Sequence, residues 1–228
     1  MLSIVDLLDA GTISAELAAY FLATIGRGAS FMVGALPGGA GKTTVMGALL
    51  NLVPEDVELV PADGMPAIRR GLQQPTPRRC YICHEISPGD YYAYLWGEPL
   101  REYFRLARSG HMLATNLHAD TLEQAQAQVC RENGVPEELF RRMNLVIFLE
   151  VRRTASRTSR RVAEIWETDG RRPHERLWAA GGQLGRSLLA GPEDLQRAGA
   201  TVASLTASGA RTIEDVRRVL LRNAGRPL

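Results

Sequence analysis

Short, continuous apolar runs alternate along the first two thirds of the chain with segments in which apolar residues recur at helical spacing. Such runs are typical of parallel strands buried on both faces of a sheet. The predicted strands are residues 30–36, 57–63, 80–86 and 111–117. The predicted helices are residues 14–25, 43–53, 99–109, 121–131 and one that begins at Pro136. This alternation predicts an α/β fold in which helices flank a mostly parallel sheet.

The last third of the chain has a different pattern. Two further strands are predicted, at residues 144–151 and 161–168. The arginine-rich segment RRTASRTSRR joins them, and Asp169-Gly170 after the second strand is a strong hairpin-turn sequence, so we expect antiparallel pairing there. Two polar-faced helices follow, at about residues 192–206 and 212–223.

These patterns divide the chain into three parts. We expect a lead-in helix in residues 1–29, an α/β core in 30–180 and a small helical appendage in 181–228. The chain has 228 residues, of which 45% are hydrophobic and 23% charged, as in a soluble globular protein with a sizeable core.

Composition also bears on location and partners. Asp6 and Asp9 interrupt the apolar segment that a secretory signal needs, and no later apolar run approaches the ~18 residues of a membrane span. We therefore expect a cytoplasmic protein. The net charge of +2 is too small to indicate nucleic-acid binding, and RRTASRTSRR has no interleaved aromatic residues to stack on bases. This segment is interpreted as a solvated hairpin loop in preference to a nucleic-acid site.

Two of the three cysteines form a motif with several possible meanings. Cys80, Cys83 and His84 match the C-x-x-C-H pattern of covalent haem attachment. The surrounding sequence nevertheless has the pattern of a short apolar strand, and no secretory signal accompanies it. Cys130 stands alone, without a second pair of ligands at zinc-finger spacing. Two buried strand cysteines are favoured over a haem, redox or zinc role.

One position departs from the chain's strong preference for arginine. Lys42 is the only lysine among 27 basic residues, and it lies in LPGGAGKTT, which follows a predicted buried strand and begins a helix. A lysine ammonium is compact, whereas a guanidinium is a broad planar fork, so a narrow phosphate-binding loop requires lysine. Leu36 stands where the motif usually has its first glycine. The expected nucleotide-binding residues are Pro37, Gly38, Gly39, Ala40, Gly41, Lys42, Thr43 and Thr44.

A second motif, SGHMLATNLHADT, covers residues 109–121. It resembles the histidine box of the secretion ATPases, the RecA-like motors of type II and type IV secretion and of type IV pili, with Ser109 and Asn116 where threonine is usual. TISAELAAYF resembles the family's lead-in helix, VELVPADG its aspartate box and RRVAEIWET its C-terminal strand. The resemblance runs in order through roughly residues 10–168.

The resemblance implies a RecA-like P-loop NTPase core that binds ATP with Mg²⁺. It implies nucleotide-binding roles for Asp63 and His111, and a catalytic role for His118 together with Lys42. Thr43 and a glutamate of the Walker B strand are the expected metal ligands.

Two glutamates compete for the Walker B position. The family has an apolar strand that ends in Gly-Glu and is followed by Ile-Arg-Asp. CYICHEI ends in Glu85 with His84 in place of the glycine, and YYAYLWGEP contains a literal Gly-Glu pair at Glu98. Glu85 is favoured as catalytic residue and metal ligand, because its strand is separated from the histidine box by a full helix and because Glu98 lies in a helix-start sequence. Either carboxylate would orient water for attack on the γ-phosphate.

The family's Ile-Arg-Asp is replaced by Ile86-Ser87-Pro88. The resemblance therefore implies that another residue, such as Arg69 or Arg70, supplies the positive charge of the missing arginine.

As a whole, the resemblance implies hydrolysis of ATP at the subunit interfaces of a homo-oligomer, a hexameric ring, that moves a partner such as a membrane-associated secretion or pilus platform. Two alternatives stay open. One is a nucleotide-gated assembly module with little turnover, favoured by Leu36 and the lost Arg-Asp. The other is a P-loop small-molecule kinase, in which the histidine box would have no use.

Overall fold

A computed structural model describes residues 2–36, 38–153 and 158–224. Its first half contains α1 (Ile4–Asp9), α2 (Ala15–Ile25), β1 (Phe31–Gly34), α3 (Lys42–Leu50), β2 (Glu58–Pro61), α4 (Met65–Gln73), β3 (Arg79–Ile86), β4 (Tyr94–Leu95) and α5 (Glu98–Arg108). Its second half contains β5 (Met112–Leu117), α6 (Leu122–Gln126), a π-helical segment (Ala127–Glu132), α7 (Glu137–Phe140), β6 (Leu145–Arg153), β7 (Thr158–Glu167), β8 (Glu175–Ala179), α8 (Pro192–Ala207) and α9 (Ile213–Ala224).

The strands of the described residues form one sheet in the order β2-β3-β5-β1-β6-β7-β8, with β4 paired to β3. Pairing is parallel from β2 through β6 and antiparallel from β6 to β8. This confirms the α/β class, the mostly parallel sheet and the C-terminal antiparallel hairpin. Strands β1 and β5 are buried along their whole length, as continuous apolar runs predict.

The sheet has a hydrophobic core on each face because successive side chains of a strand point to opposite faces. On one face, Phe31 and Val33 of β1 belong to the core that includes residues of α1, α2, α3 and α8. On the other face, Met32 belongs to the core that includes residues of α4, α5 and α7. The helices therefore flank the sheet on both sides.

Several predicted helix ends are confirmed. Ser14 caps α2 by accepting the Leu17 N–H, and the helix ends at Gly26. At the predicted start of α9, the side chains of Thr212 and Asp215 each accept the other residue's backbone N–H, which forms a capping box.

Four short elements were not predicted: α1, α4, β4 and β8. Helix α4 contains Gly71, a poor helix former, and tertiary packing explains the glycine. A Cβ at this position would lie 2.3 Å from the hydroxyl oxygen of Tyr81 on β3. Strand β8 has little apolar patterning of its own and forms by pairing with β7. Short elements of this kind depend on partners that are distant in sequence.

The C-terminal helices pack against the lead-in segment and against the end of α3. Arg27, after α2, forms a bidentate ion pair with Asp194 of α8, and Arg217 of α9 donates hydrogen bonds to the carbonyls of Asn51 and Val53. Residues 181–228, the predicted appendage, thus share a hydrophobic core with residues 1–29 in the part of the chain that is described. The division into three parts stays a prediction.

The segment RRTASRTSRR differs from the expected solvated loop. Strand β6 continues to Arg153 and β7 starts at Thr158, so most of the segment pairs as an antiparallel ribbon. Residues 154–157 lie outside the described residues. Arg152 and Arg161 both contact the Glu150 carboxylate, which helps to explain why so basic a ribbon is tolerated.

Cys80 and Cys83 are buried and unpaired on β3, which confirms the interpretation as strand cysteines. Burial raises the pKa of each thiol to about 12, so both stay protonated and unreactive at neutral pH. In the described part of the chain, no helix combines the length and apolar character needed to cross a membrane.

Candidate nucleotide-binding site

The loop between β1 and α3 lies at the carboxyl end of the parallel strands, where α/β sheets bind their ligands. Gly39 and Gly41 have φ values of +72° and +93°, in the left-handed region that favours glycine. Gly41 is also the N-cap of α3, so unpaired backbone N–H groups of this nine-residue helix face the loop. The predicted sequence of strand, glycine loop and helix is therefore confirmed. Pro37, a predicted binding residue, lies outside the described residues.

Lys42 is the first residue of α3, and its side chain turns back under the loop. The residue is only 8% exposed. Its Nζ lies 3.4 Å from the Ala35 carbonyl oxygen, 3.4 Å from Oε1 of Glu85 and 3.4 Å from Nδ1 of His118. Lys42, Glu85 and His118, which are predicted site residues far apart in the chain, thus lie in contact with one another.

Glu85 lies near the end of β3, where the pairing of β3 with β5 shifts register. The residue is 6% exposed. Its Oε1 is 3.4 Å from Nζ of Lys42 and 3.4 Å from Nε2 of His118, yet this oxygen accepts no hydrogen bond of ordinary geometry. A buried carboxylate oxygen in this state retains lone pairs for a water molecule or a metal ion.

Glu98, the alternative to Glu85, lies elsewhere. It is the first residue of α5, is exposed to solvent and does not line the cavity at the loop. At that position a carboxylate interacts favourably with the helix N-terminus. The structure therefore brings Glu85 to the candidate site and leaves Glu98 outside it.

A cavity of about 780 Å³ opens above the loop. Its lining combines the loop and start of α3 with the ends of β3 and β5, the segment around α1 and the β6–β7 ribbon. The lining residues are Leu2, Asp6, Leu7, Ala10, Thr12, Gly38, Gly39, Ala40, Gly41, Lys42, Thr43, Thr44, Val45, His84, Glu85, Tyr94, His118, Thr158, Ser159 and Arg160. All the predicted loop residues that the structure describes are among them.

His111 is predicted to bind nucleotide, but the structure places it at the amino end of β5. The loop lies at the other end of that strand, about 17 Å away. Nδ1 of His111 accepts the Arg79 N–H at 3.1 Å, and Nε2 lies 3.1 Å from the Gly71 carbonyl oxygen, to which it donates. Burial lowers the pKa of this imidazole. His111 therefore connects the start of β3 with α4 and does not reach the cavity.

Asp63 does not reach the cavity either. It follows β2, the edge strand, which is separated from β1 by β3 and β5 and so lies about 14 Å from it. Its side chain is exposed and does not line the cavity. Asp63 therefore matches the aspartate box in sequence, but it lies outside the candidate site.

Sequence reasoning missed several residues of the cavity. Arg160 donates from Nε to the Gly39 carbonyl oxygen at 3.0 Å. The rings of His84 and Tyr94 stack with centroids 5.8 Å apart on the opposite wall. No local pattern predicts that these three residues line the cavity, because their positions depend on strand register and on the loop between β3 and β4.

The mouth of the loop is also tied to α6. The Leu36 N–H donates to Oδ1 of Asp120 at 2.7 Å, and the Asp120 N–H donates to the side chain of Gln124 in α6. Thr121 caps the same helix. Hydrogen bonds through Asp120 therefore connect the loop mouth with the start of α6.

The fold and the site define an α/β protein with a P-loop. A buried ammonium, a helix N-terminus and a buried carboxylate with a free oxygen meet in one cavity, and these groups fit the phosphates and the hydrated Mg²⁺ of a nucleotide. Thr43 is exposed in the cavity, where its hydroxyl can bind the metal.

Comparison with known proteins yields no family model and no curated protein that matches the chain. Among solved structures, it is similar to the VirB11 ATPase of the Brucella suis type IV secretion system in complex with sulphate, with 21% identity and a TM-score of 0.49 over 72% of this chain and 54% of that one. It is also similar to the ATPase DotB of Legionella pneumophila (13% identity, TM-score 0.46, 98% and 57% covered) and of Yersinia pseudotuberculosis (13% identity, TM-score 0.46, 93% and 62% covered).

The chain spans between about half and two thirds of the length of each of these structures.

Proposed function

We propose that this protein binds ATP with Mg²⁺ in the cavity at the β1–α3 loop and hydrolyses it. The observation that carries the proposal is the contact between the buried Lys42 ammonium and the buried Glu85 carboxylate, whose Oε1 lacks an ordinary hydrogen bond. In an ion pair that is only structural and buried to this extent, we would expect hydrogen bonds to use the donors and acceptors of both side chains. A catalytic pair must instead retain capacity for the substrate.

Each residue of the site has a role in this proposal. The backbone N–H groups of residues 38–44 bind phosphate oxygens, and Lys42 donates to the β- and γ-phosphates. Glu85 accepts a hydrogen bond from the attacking water and orients it for in-line attack. Thr43 and Glu85 would hold Mg²⁺, directly or through water, and the metal would neutralise charge on the phosphates.

His118 provides a route from the phosphates to the rest of the molecule. Its ring lies 3.4 Å from both Lys42 Nζ and Glu85 Oε1. Asp120, two residues later, holds the loop mouth and the start of α6. We infer that His118 donates to the γ-phosphate and that loss of this contact shifts α6.

The larger assembly is part of the same proposal. We infer a cytoplasmic homo-oligomer, a hexameric ring, in which ATP hydrolysis at subunit interfaces moves a partner such as a secretion or pilus platform. Arg69 and Arg70 are exposed on α4 and could provide positive charge at such an interface. Motif resemblance and the P-loop geometry support this part of the proposal.

The test measures ATPase rate per protomer and light scattering over a series of protein concentrations, with Lys42→Ala as the control. A ring motor predicts that turnover per protomer rises as the particles assemble and that the control is inactive. Assembly on ATP without turnover would contradict the proposal and indicate a nucleotide-gated module. Turnover that appears only with an added phosphate acceptor would contradict it in favour of a kinase.

A further inference from the structure

The β6–β7 ribbon overhangs the candidate site. Strand β1 ends at Gly34, which lies opposite Phe148 of β6. Strand β6 continues from Phe148 to Arg153, five residues or about 17 Å beyond the end of β1. Because the P-loop begins where β1 ends, the extended part of the ribbon runs alongside the loop.

Arg160 is the ribbon residue that contacts the loop. Its Nε donates to the Gly39 carbonyl oxygen at 3.0 Å, and a Cβ at Gly41 would lie 3.2 Å from its Cδ. Thr158, Ser159 and Arg160 all line the cavity. The guanidinium group is therefore held at the mouth of the phosphate-binding loop by the chain's own backbone.

The neighbouring arginines of the ribbon are already paired. Arg152 and Arg161 bind the Glu150 carboxylate. Arg160 makes no ion pair with an acidic side chain in the described parts of the chain, and it is exposed to solvent. Its Nε is used by the Gly39 carbonyl, which leaves the two terminal nitrogens for another acceptor. An arginine with free donors at an anion site is suited to bind phosphate.

We propose that Arg160 contacts the terminal phosphate of the bound nucleotide within its own chain and makes the site prefer ATP to ADP. This inference rests on the proposed function.

The experiment compares Arg160→Gln with Arg152→Gln, which removes the same charge from the same ribbon outside the cavity lining. Dissociation constants are measured for ADP and for a non-hydrolysable ATP analogue, both with Mg²⁺, and circular dichroism checks the fold. Loss of one charge-assisted contact predicts that Arg160→Gln weakens binding of the ATP analogue about tenfold or more while ADP binding changes less than twofold. Arg152→Gln should bind both nucleotides like the wild type.

Three results would overturn the inference. An equal loss of affinity for both nucleotides would show that Arg160 only shapes the loop through Gly39. Unchanged affinities, or the same change in Arg152→Gln, would show that the position carries no specific contact. A folded wild-type protein that binds neither nucleotide would refute the proposed function itself, and with it the role of Arg160.

Discussion

Replacement of Glu85 by glutamine removes the charge of the buried carboxylate and keeps the shape of the side chain. Lys42 Nζ lies 3.4 Å from Glu85 Oε1. Coulomb's law gives an attraction of about 1.2 kcal/mol at this distance with the dielectric constant of water, and about 5 kcal/mol with an effective constant of 20. A bound γ-phosphate competes with this attraction for the ammonium.

The substitution therefore separates binding from hydrolysis. Without the carboxylate, Lys42 is free for the phosphates, and we expect ATP to bind as tightly as in the wild type or up to roughly tenfold tighter, a change of about 1.4 kcal/mol. Hydrolysis should fall by about 10²–10⁴-fold, because the water loses the group that orients it. The variant should accumulate as an ATP-bound complex.

The assay combines equilibrium binding of ATP with single-turnover hydrolysis. Glu98→Gln is the matched control: it makes the same chemical change at an exposed helix start, where the expected cost is only about 0.3–1 kcal/mol of stability. Weaker ATP binding in Glu85→Gln, or hydrolysis at the wild-type rate, would refute the reasoning. Loss of hydrolysis in Glu98→Gln alone would transfer the Walker B role to Glu98.

Three further predictions concern single residues. Lys42→Arg should lose nucleotide binding, because the planar guanidinium does not fit the narrow buried space under the loop. A wild-type affinity measured by calorimetry would refute the P-loop interpretation. His118→Ala should weaken the preference for ATP over ADP. Its melting temperature should stay within a few degrees of the wild-type value, since the side chain is 45% exposed. A variant that unfolds, or one with an unchanged preference for ATP, would indicate a structural histidine. Tyr20→Phe should lower the free energy of unfolding by about 1.5–3 kcal/mol, because the hydroxyl donates at 2.7 Å to the buried Glu167 carboxylate. Denaturant unfolding measures this change, and the exposed Tyr92→Phe, expected to stay within about 0.5 kcal/mol, is its control.

Local patterns in the sequence predicted the elements that depend on local physics. Examples are the apolar run at β1, the glycines before Lys42 and Ser14 at the start of α2. In each case a few neighbouring residues determine the backbone conformation. Positive φ angles at Gly39 and Gly41 and the buried ammonium of Lys42 agree with those patterns. Parallel pairing also followed from the alternation of apolar runs with helices.

Elements and residues that depend on distant partners were harder to predict. Strand β8 forms by pairing with the edge of β7. Helix α4 has Gly71 packed against Tyr81 of β3. His111 matched a motif, yet the direction of β5 places it at the far end of the strand from the loop. A motif states which residues occur together in sequence, whereas strand direction decides which end of the sheet they reach.

The sequence by itself determined the α/β class, and it selected the glycine loop, Lys42 and His118 as candidates for nucleotide binding. It favoured Glu85 over Glu98 without excluding Glu98, and it gave Arg160 no role at the site. The tertiary structure places Glu85 and Arg160 in the cavity and Glu98 outside it, because β3 and β1 end at the same edge of the sheet and the β6–β7 ribbon extends past the end of β1. Side chains can meet in one cavity only when sheet order and register bring their strands together, and those are properties of the whole chain.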